Sequence, residues 1–120
     1  MRDYKKYDVW VKAHELTLHI YRNVTATLPK NEEYALSSQI RRAACSIPLN
    51  IVEGCGRSTE KDFVRFLDIA LGSVHELEYG LLLVRDLGFL TNDGHLIVNE
   101  KLNEQKAKLI KLIKIIRQNT

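Results

Sequence analysis

The sequence is short of the residues that break regular structure: two prolines and six glycines in 120 residues. That scarcity excludes a long disordered tract. Cysteine is as sparse, with only Cys45 and Cys55. Ten residues apart on one helix, they stand roughly 15 Å from each other, too far for a disulfide. They read as reduced packing residues. No apolar run approaches the 18 or so residues that suggest a membrane span. Met1 to Trp10 is charged and lacks the apolar centre of a secretory signal. A cytoplasmic location, with no membrane partner, is therefore expected. Strand-like alternation, low-complexity tracts and internal repeats are missing too. One domain spanning residues 1–120 is the expectation, long enough to bury a core.

The motifs of common chemistries are also absent. His14, Glu15 and His19 approach a zinc-protease helix, but that pattern needs its histidines four apart on one face and here they are five apart. His75 and His95 have no ligand companion at a metal spacing, and the cysteines form no CxxC. Gly54 to Thr59, GCGRST, precedes a helix N-terminus as a phosphate-binding turn would. It lacks the lysine and spacing of a nucleotide P-loop and follows a helix rather than a strand, so a helix–helix turn is expected, with anion contact through Arg57 as the alternative. Catalysis by Ser46, Cys45 or Cys55 would need an oriented base, and the nearest histidines lie on other helices. No catalytic, cofactor-binding or metal residue is assigned, and a non-enzymatic protein is expected.

What is present is helical periodicity. Val9, Ala13, Leu16, Ile20 and Val24 form one face of a first helix, which Asp8 is placed to cap and Pro29 to close near Leu28. A second helix starts at Asn31 to Glu33 and carries Leu36, Ile40, Ala43, Ile47 and Ile51. Pro48 inside it predicts a kink and leaves the Ala44 carbonyl needing a donor from Ser46 or from a neighbouring helix. Gly54 and Gly56 are read as its stop. A third helix, capped by Ser58 or Thr59, repeats Phe63, Leu67, Ala70, Val74, Leu77, Leu81 and Val84 at steps of four and three until Gly88. After a turn at Thr91 to Gly94, a fourth runs from about Ile97 to Gln118 on Val98, Leu102, Leu109, Leu112, Ile113 and Ile116, interrupted by Gln105. The fold class is all-α, an antiparallel up-and-down four-helix bundle with a proline-kinked second helix.

Three side-chain sets fall outside the apolar stripes. Gln39, Arg42, Ser46, Asn50 and Glu53 make a polar stripe beside the core face of helix 2. Glu78 and Arg85 on helix 3 are its expected partners in a structural polar network. Ile69, Leu83, Leu87, Ile110 and Ile115 are apolar on the outer sides of helices 3 and 4, which predicts an oligomer interface. Charge is the third set. A net +3 is small, but residues 1–30 and 91–120 each hold six Lys/Arg against three Asp/Glu, while residues 58–90 hold three against six. Lys12, Arg22, Arg57, Lys101, Lys106, Lys108, Lys111, Lys114 and Arg117 are the candidate phosphate contacts.

These stretches also resemble a known family. YKKYDVWVKAHEL (residues 4–16), QIRRAACSIPLNIVEGCGR (39–57) and FLDIALGSVHELEYGLLLVRDLGFL (66–90) are similar to the four-helix-bundle proteins encoded in intervening sequences of bacterial 23S rRNA genes. The SIPxNIxEG core is carried here by Ser46, Ile47, Pro48, Asn50, Ile51, Glu53 and Gly54, with Leu49 and Val52 where the family often has alanine. The resemblance implies a helical bundle assembled as a homopentamer. It also implies kinship with the accessory proteins of diversity-generating retroelements, which bind nucleic acid and work with a reverse transcriptase. Residues and resemblance together predict a non-enzymatic homo-oligomeric bundle binding RNA or DNA through helices 1 and 4, with a nucleic-acid enzyme such as a reverse transcriptase as a partner. The alternative is a protein-interaction scaffold that does not touch nucleic acid.

Overall fold

The computed structural model describes residues 2–119; Met1, at the head of the charged N-terminal stretch, and Thr120 lie outside the described residues. Four helices carry the fold: α1 (Asp8–His19), α2 (Ser38–Cys55), α3 (Glu60–Asp86) and α4 (Asn92–Gln118). No strand occurs among the described residues. Each helix packs on its neighbour in sequence, and α1 closes the ring against α4. Cross-contacts run in opposite directions along each pair, as in Lys12–Glu104 with Asp8–Lys108 and Arg42–Glu76 with Ser46–Ser73. The result is an antiparallel bundle measuring 45 × 24 × 20 Å.

The expected apolar faces are the core. All five inward residues of the first helical stretch, Val9, Ala13, Leu16, Ile20 and Val24, are buried, as is the whole seam from Phe63 to Val84. Leu36 and Leu112 lie partly buried against them. Gln105 is fully buried as well, its Nε2 donating to the Val9 carbonyl at 3.0 Å. A polar break in an apolar stripe is thus spent on an α1–α4 contact.

Five local expectations are corrected. Asp8 does not cap α1: Tyr7 is the extended N-cap residue and makes no side-chain cap, while Asp8, the first helical residue, turns its carboxylate to Lys108 at 2.6 Å. The regular ladder of α1 ends at His19, well short of Leu28. One wide turn follows at Ile20–Val24, where the Thr25 N–H reaches the Ile20 carbonyl, and then a 3₁₀ turn at Thr25–Thr27. The Thr25 hydroxyl lies 3.4 Å from the carbonyls of Ile20 and Tyr21, competing with the backbone there. The chain approaches α2 in the same irregular way, and α2 itself starts at Ser38. Gly54 lies inside α2 rather than ending it; a Cβ there would stand 3.0 Å from Phe63 Cδ1 and Phe66 Cβ and 3.2 Å from the Phe63 carbonyl. Finally, α4 begins at Asn92, because the Thr91 hydroxyl accepts the Gly94 N–H at 3.0 Å and turns the expected loop into a first helical turn.

Pro48 sits within α2, which continues from Ser38 to Cys55 around it. The donor that proline removes comes from α1: the Thr17 hydroxyl is 3.2 Å from the Ala44 carbonyl and 2.8 Å from the Ala13 carbonyl of its own helix. At the other end of α3, Gly88 takes φ +82°. The Gly88 N–H meets the Arg85 carbonyl and the Phe89 N–H the Val84 carbonyl, both at 2.9 Å, a Schellman closure.

Candidate nucleic-acid interface

The charge of α4 is segregated along its length as well as around it. From Gln105 onward the sequence has five Lys/Arg and no Asp/Glu. Burial of Leu109, Ile113 and Ile116 against the core turns those cations outward and onto the flanking grooves. Three are then held by carboxylates from other helices. Lys106 meets Glu78 at 2.8 Å, Lys108 meets Asp8 at 2.6 Å, and Arg117 pairs with Asp68. Lys12 lies 3.5 Å from Glu104 and 3.6 Å from Glu15, pairs that hold its ammonium above the ordinary lysine range. The hydrogen bond from Lys108 draws the Asp8 carboxyl below its ordinary range.

Arg57, at the α2–α3 turn, is 3.6 Å from Glu53 and 4.0 Å from Asp62, and its guanidinium lies 4.5 Å from the Phe66 ring centre. Of the nine candidate cations, five are therefore engaged within the molecule. Arg22, Lys101, Lys111 and Lys114 are exposed and meet no carboxylate among the described residues. Lys111 and Lys114 flank opposite grooves of the C-terminal half of α4, one shared with Tyr7, Leu112 and Ile115, the other with Leu71, Ile110 and Arg117. Lys101 is roughly 15 Å along the helix from Lys111. It stands near His19, whose imidazole is pushed down chiefly by burial and further by that ammonium.

The polar stripe of α2 divides into a compact part and an exposed part. Ser46 Oγ is 2.7 Å from Ser73 Oγ, and Asn50 Nδ2 donates to Ser46 Oγ at 2.9 Å and to the Ser46 carbonyl at 2.8 Å. Arg42 holds Gln39 at 2.8 Å and lies 3.9 Å from Glu76, with both charged side chains well exposed. Glu78 and Arg85 do not join this stripe. Glu78 turns to Lys106 on α4, and Arg85 hydrogen-bonds its neighbour Asp86 at 3.1 Å. Helical geometry gives the reason: two residues beyond Glu76, a side chain has rotated about 200°, from the α2 side of α3 to its α4 side. Ser73, which does join, is a small residue at the edge of the α3 seam.

The outer apolar residues divide between faces. Ile69 on α3, Leu87 at its C-cap, and Ile110 and Ile115 on α4 are exposed, while Leu83 is half-buried. Leu83 borders a shallow groove of about 540 Å³ between α2 and α3, lined also by Leu36, Ala43, Gly72 and Tyr79. Arg2 is a contact without a sequence signal. Its guanidinium pairs with Glu60, donates to the Arg57 carbonyl at 2.7 Å and covers the Phe63 ring at 4.2 Å, tying the N-terminal arm to the α2–α3 turn. Among the described residues no three His, Cys, Asp or Glu side chains converge as a metal site requires, and no helix is long and apolar enough to cross a membrane.

Fold and surface define an antiparallel four-helix bundle whose closing helix carries a cationic, acid-free half. A family model described as 23S rRNA-intervening sequence protein matches residues 5–111, and the chain belongs to that family. It is similar to the crystal structure of a protein of unknown function from the S23 ribosomal protein family of Bacteroides thetaiotaomicron VPI-5482. The two share 32% identity and a TM-score of 0.81 over 88% of this chain and 98% of that one. No curated protein matches the chain.

Proposed function

We propose that this protein is a non-catalytic, self-associating bundle that binds RNA or DNA through the C-terminal half of α4. The observation that carries the reading is the acid-free run from Gln105, in which Lys111 and Lys114 are exposed and meet no carboxylate among the described residues. The family's description, which places its members with 23S rRNA intervening sequences, agrees with a nucleic-acid setting. Arg22 and Lys101 extend the surface toward the other end of the bundle. The five cations already paired contribute less, since a phosphate must displace a carboxylate to reach them. Self-association multiplies a modest charge per chain into a larger field, and Ile69, Leu87, Ile110 and Ile115 supply the apolar area for it.

Titration of structured RNA and of duplex DNA at two salt concentrations tests the reading. Affinity should fall with salt, by a log–log slope of about 0.9 for each duplex phosphate neutralised. Lys111→Glu with Lys114→Glu should weaken binding and flatten that slope. Absence of binding at low salt, or binding indifferent to salt, would overturn it. Light scattering should give a mass well above the 13.8 kDa of one chain; a monomer at every concentration would remove the assembly. A protein-interaction scaffold is the second reading, favoured by the apolar α2–α3 groove. Retrieval of one protein partner unaffected by nuclease treatment would select it.

A further inference from the structure

A second surface has the makings of a ligand site. Trp10 and His14, one turn apart on α1, stack with ring planes 5° from parallel and centroids 5.1 Å apart. Tyr4 meets Trp10 edge-on at 4.9 Å, and the Lys5 ammonium lies 5.8 Å from the Tyr4 ring centre. Tyr21, in the wide turn that follows α1, continues the same side of the chain, roughly 16 Å beyond Trp10. Its ring has the Arg41 guanidinium at 5.2 Å, and it remains 42% exposed. Tyr4 and Trp10 are partly covered by the core, whereas His14 is exposed.

The electrostatics of this seam are one-sided. Lys5, Lys6 and Arg41 meet no carboxylate among the described residues; Arg41 donates instead to the Thr25 hydroxyl at 3.1 Å. The nearby acid, Asp3, accepts the Lys5 N–H at 3.1 Å, and Glu15 lies 3.6 Å from Lys12. Flat aromatic surfaces interleaved with unneutralised cations are what a single nucleic-acid strand uses: every base has a face to stack, and the cations track its phosphates. A duplex, whose bases are stacked on one another, cannot use the aromatic part.

Resting on the nucleic-acid reading above, we infer that the α1–α2 seam takes unpaired nucleotides. One base lies on the outer face of His14 and extends the Trp10 stack, a second lies at Tyr21, and phosphates lie at Lys5, Lys6 and Arg41. This is a site separate from the α4 surface and selective for single strands.

Trp10 is the chain's single tryptophan, so its emission reports this seam alone. Oligouridylate and oligodeoxyuridylate octamers should quench it saturably, the two together showing whether the sugar matters. A labelled blunt-ended duplex should bind by anisotropy while leaving Trp10 emission unchanged. His14→Ala should weaken single-strand binding roughly 5- to 150-fold and leave duplex binding untouched, whereas His14→Phe should restore single-strand binding. Duplex binding without quenching by either octamer, or a His14→Ala protein that holds the octamers unchanged, would overturn this site and leave the α4 reading standing. Failure of octamers and duplex alike at low salt would overturn both.

Discussion

Thr17 has one hydroxyl proton and two carbonyls within reach; the Ala13 carbonyl already accepts the N–H four residues on in its own helix, so that proton is the donor that lets a proline be tolerated inside α2. The Ala44 carbonyl lost its helical donor to Pro48 and finds the Thr17 hydroxyl at 3.2 Å. Thr17→Val keeps the shape and removes the donor, so it should cost about 1–2 kcal/mol in urea unfolding. In a Pro48→Ala background, where the backbone N–H returns to Ala44, the same change should cost less. Equal costs in the two backgrounds would show that the hydroxyl does not serve that carbonyl. The orphaned carbonyl was legible in the sequence, because proline chemistry is local. Its donor was not, since which α1 residue faces Ala44 depends on how two helices are set against each other. The same ignorance of rotation misassigned Glu78 and Arg85, one residue step in either direction being enough to change the neighbour.

Helix interiors were the most legible elements, because a period of 3.6 repeated over seven turns of α3 leaves one consistent core face. Helix ends were less so. Thr91 to Gly94 has the composition of a turn and also that of a capped first turn, and the choice rests on the Thr91 hydroxyl reaching the Gly94 N–H at 3.0 Å. Glycine is equally two-valued. Gly88 is needed for its φ of +82°, where an L side chain is strained, so Gly88→Ala should destabilise by about 1 kcal/mol. Gly54 is needed for the close approach of α2 and α3, and an added methyl must displace Phe63 and backbone. Gly54→Ala should cost about 1–3 kcal/mol. Chemical denaturation distinguishes the two; a Gly54→Ala protein as stable as its parent would mean that the helices part without strain.

For the whole molecule the ionisable groups set a window of stability in pH. Burial pushes the imidazoles of His19 and His95 below their ordinary 6.5, with Lys101 and Arg85 adding to it respectively. As pH falls through 6.5 the unfolded chain therefore takes up protons first, and stability declines until the folded groups protonate too. Asp8, drawn below 3.8 by Lys108, adds a further loss at more acid pH, as its folded carboxylate finally protonates. On the alkaline side, burial raises the Cys55 thiol above 9.0 and Tyr7 above 10.0, and the Cys45 hydrogen bond raises Tyr21 above 10.0. There the unfolded chain loses protons first and stability declines again. Urea midpoints should thus peak between about pH 7 and 8.5, with His19→Asn shallower on the acid limb. A profile still rising toward pH 5 would contradict the assignment.

The contact between α1 and α4 has a consequence for the order in which the bundle forms. The helix pairs adjacent in sequence are joined through 18, 4 and 5 residues of chain, so their loops close at lower cost, whereas Val9 and Gln105 are separated by 96 residues. The directional contacts of that last closure are the Gln105 amide on the Val9 carbonyl and the pairs Asp8–Lys108 and Lys12–Glu104. Apolar stripes can slide along one another by a turn at small cost; a buried amide and two ion pairs at one spacing cannot. The polar break in the α4 stripe thus works as a key, fixing which turn of α1 the returning helix meets when the two ends of the chain come together.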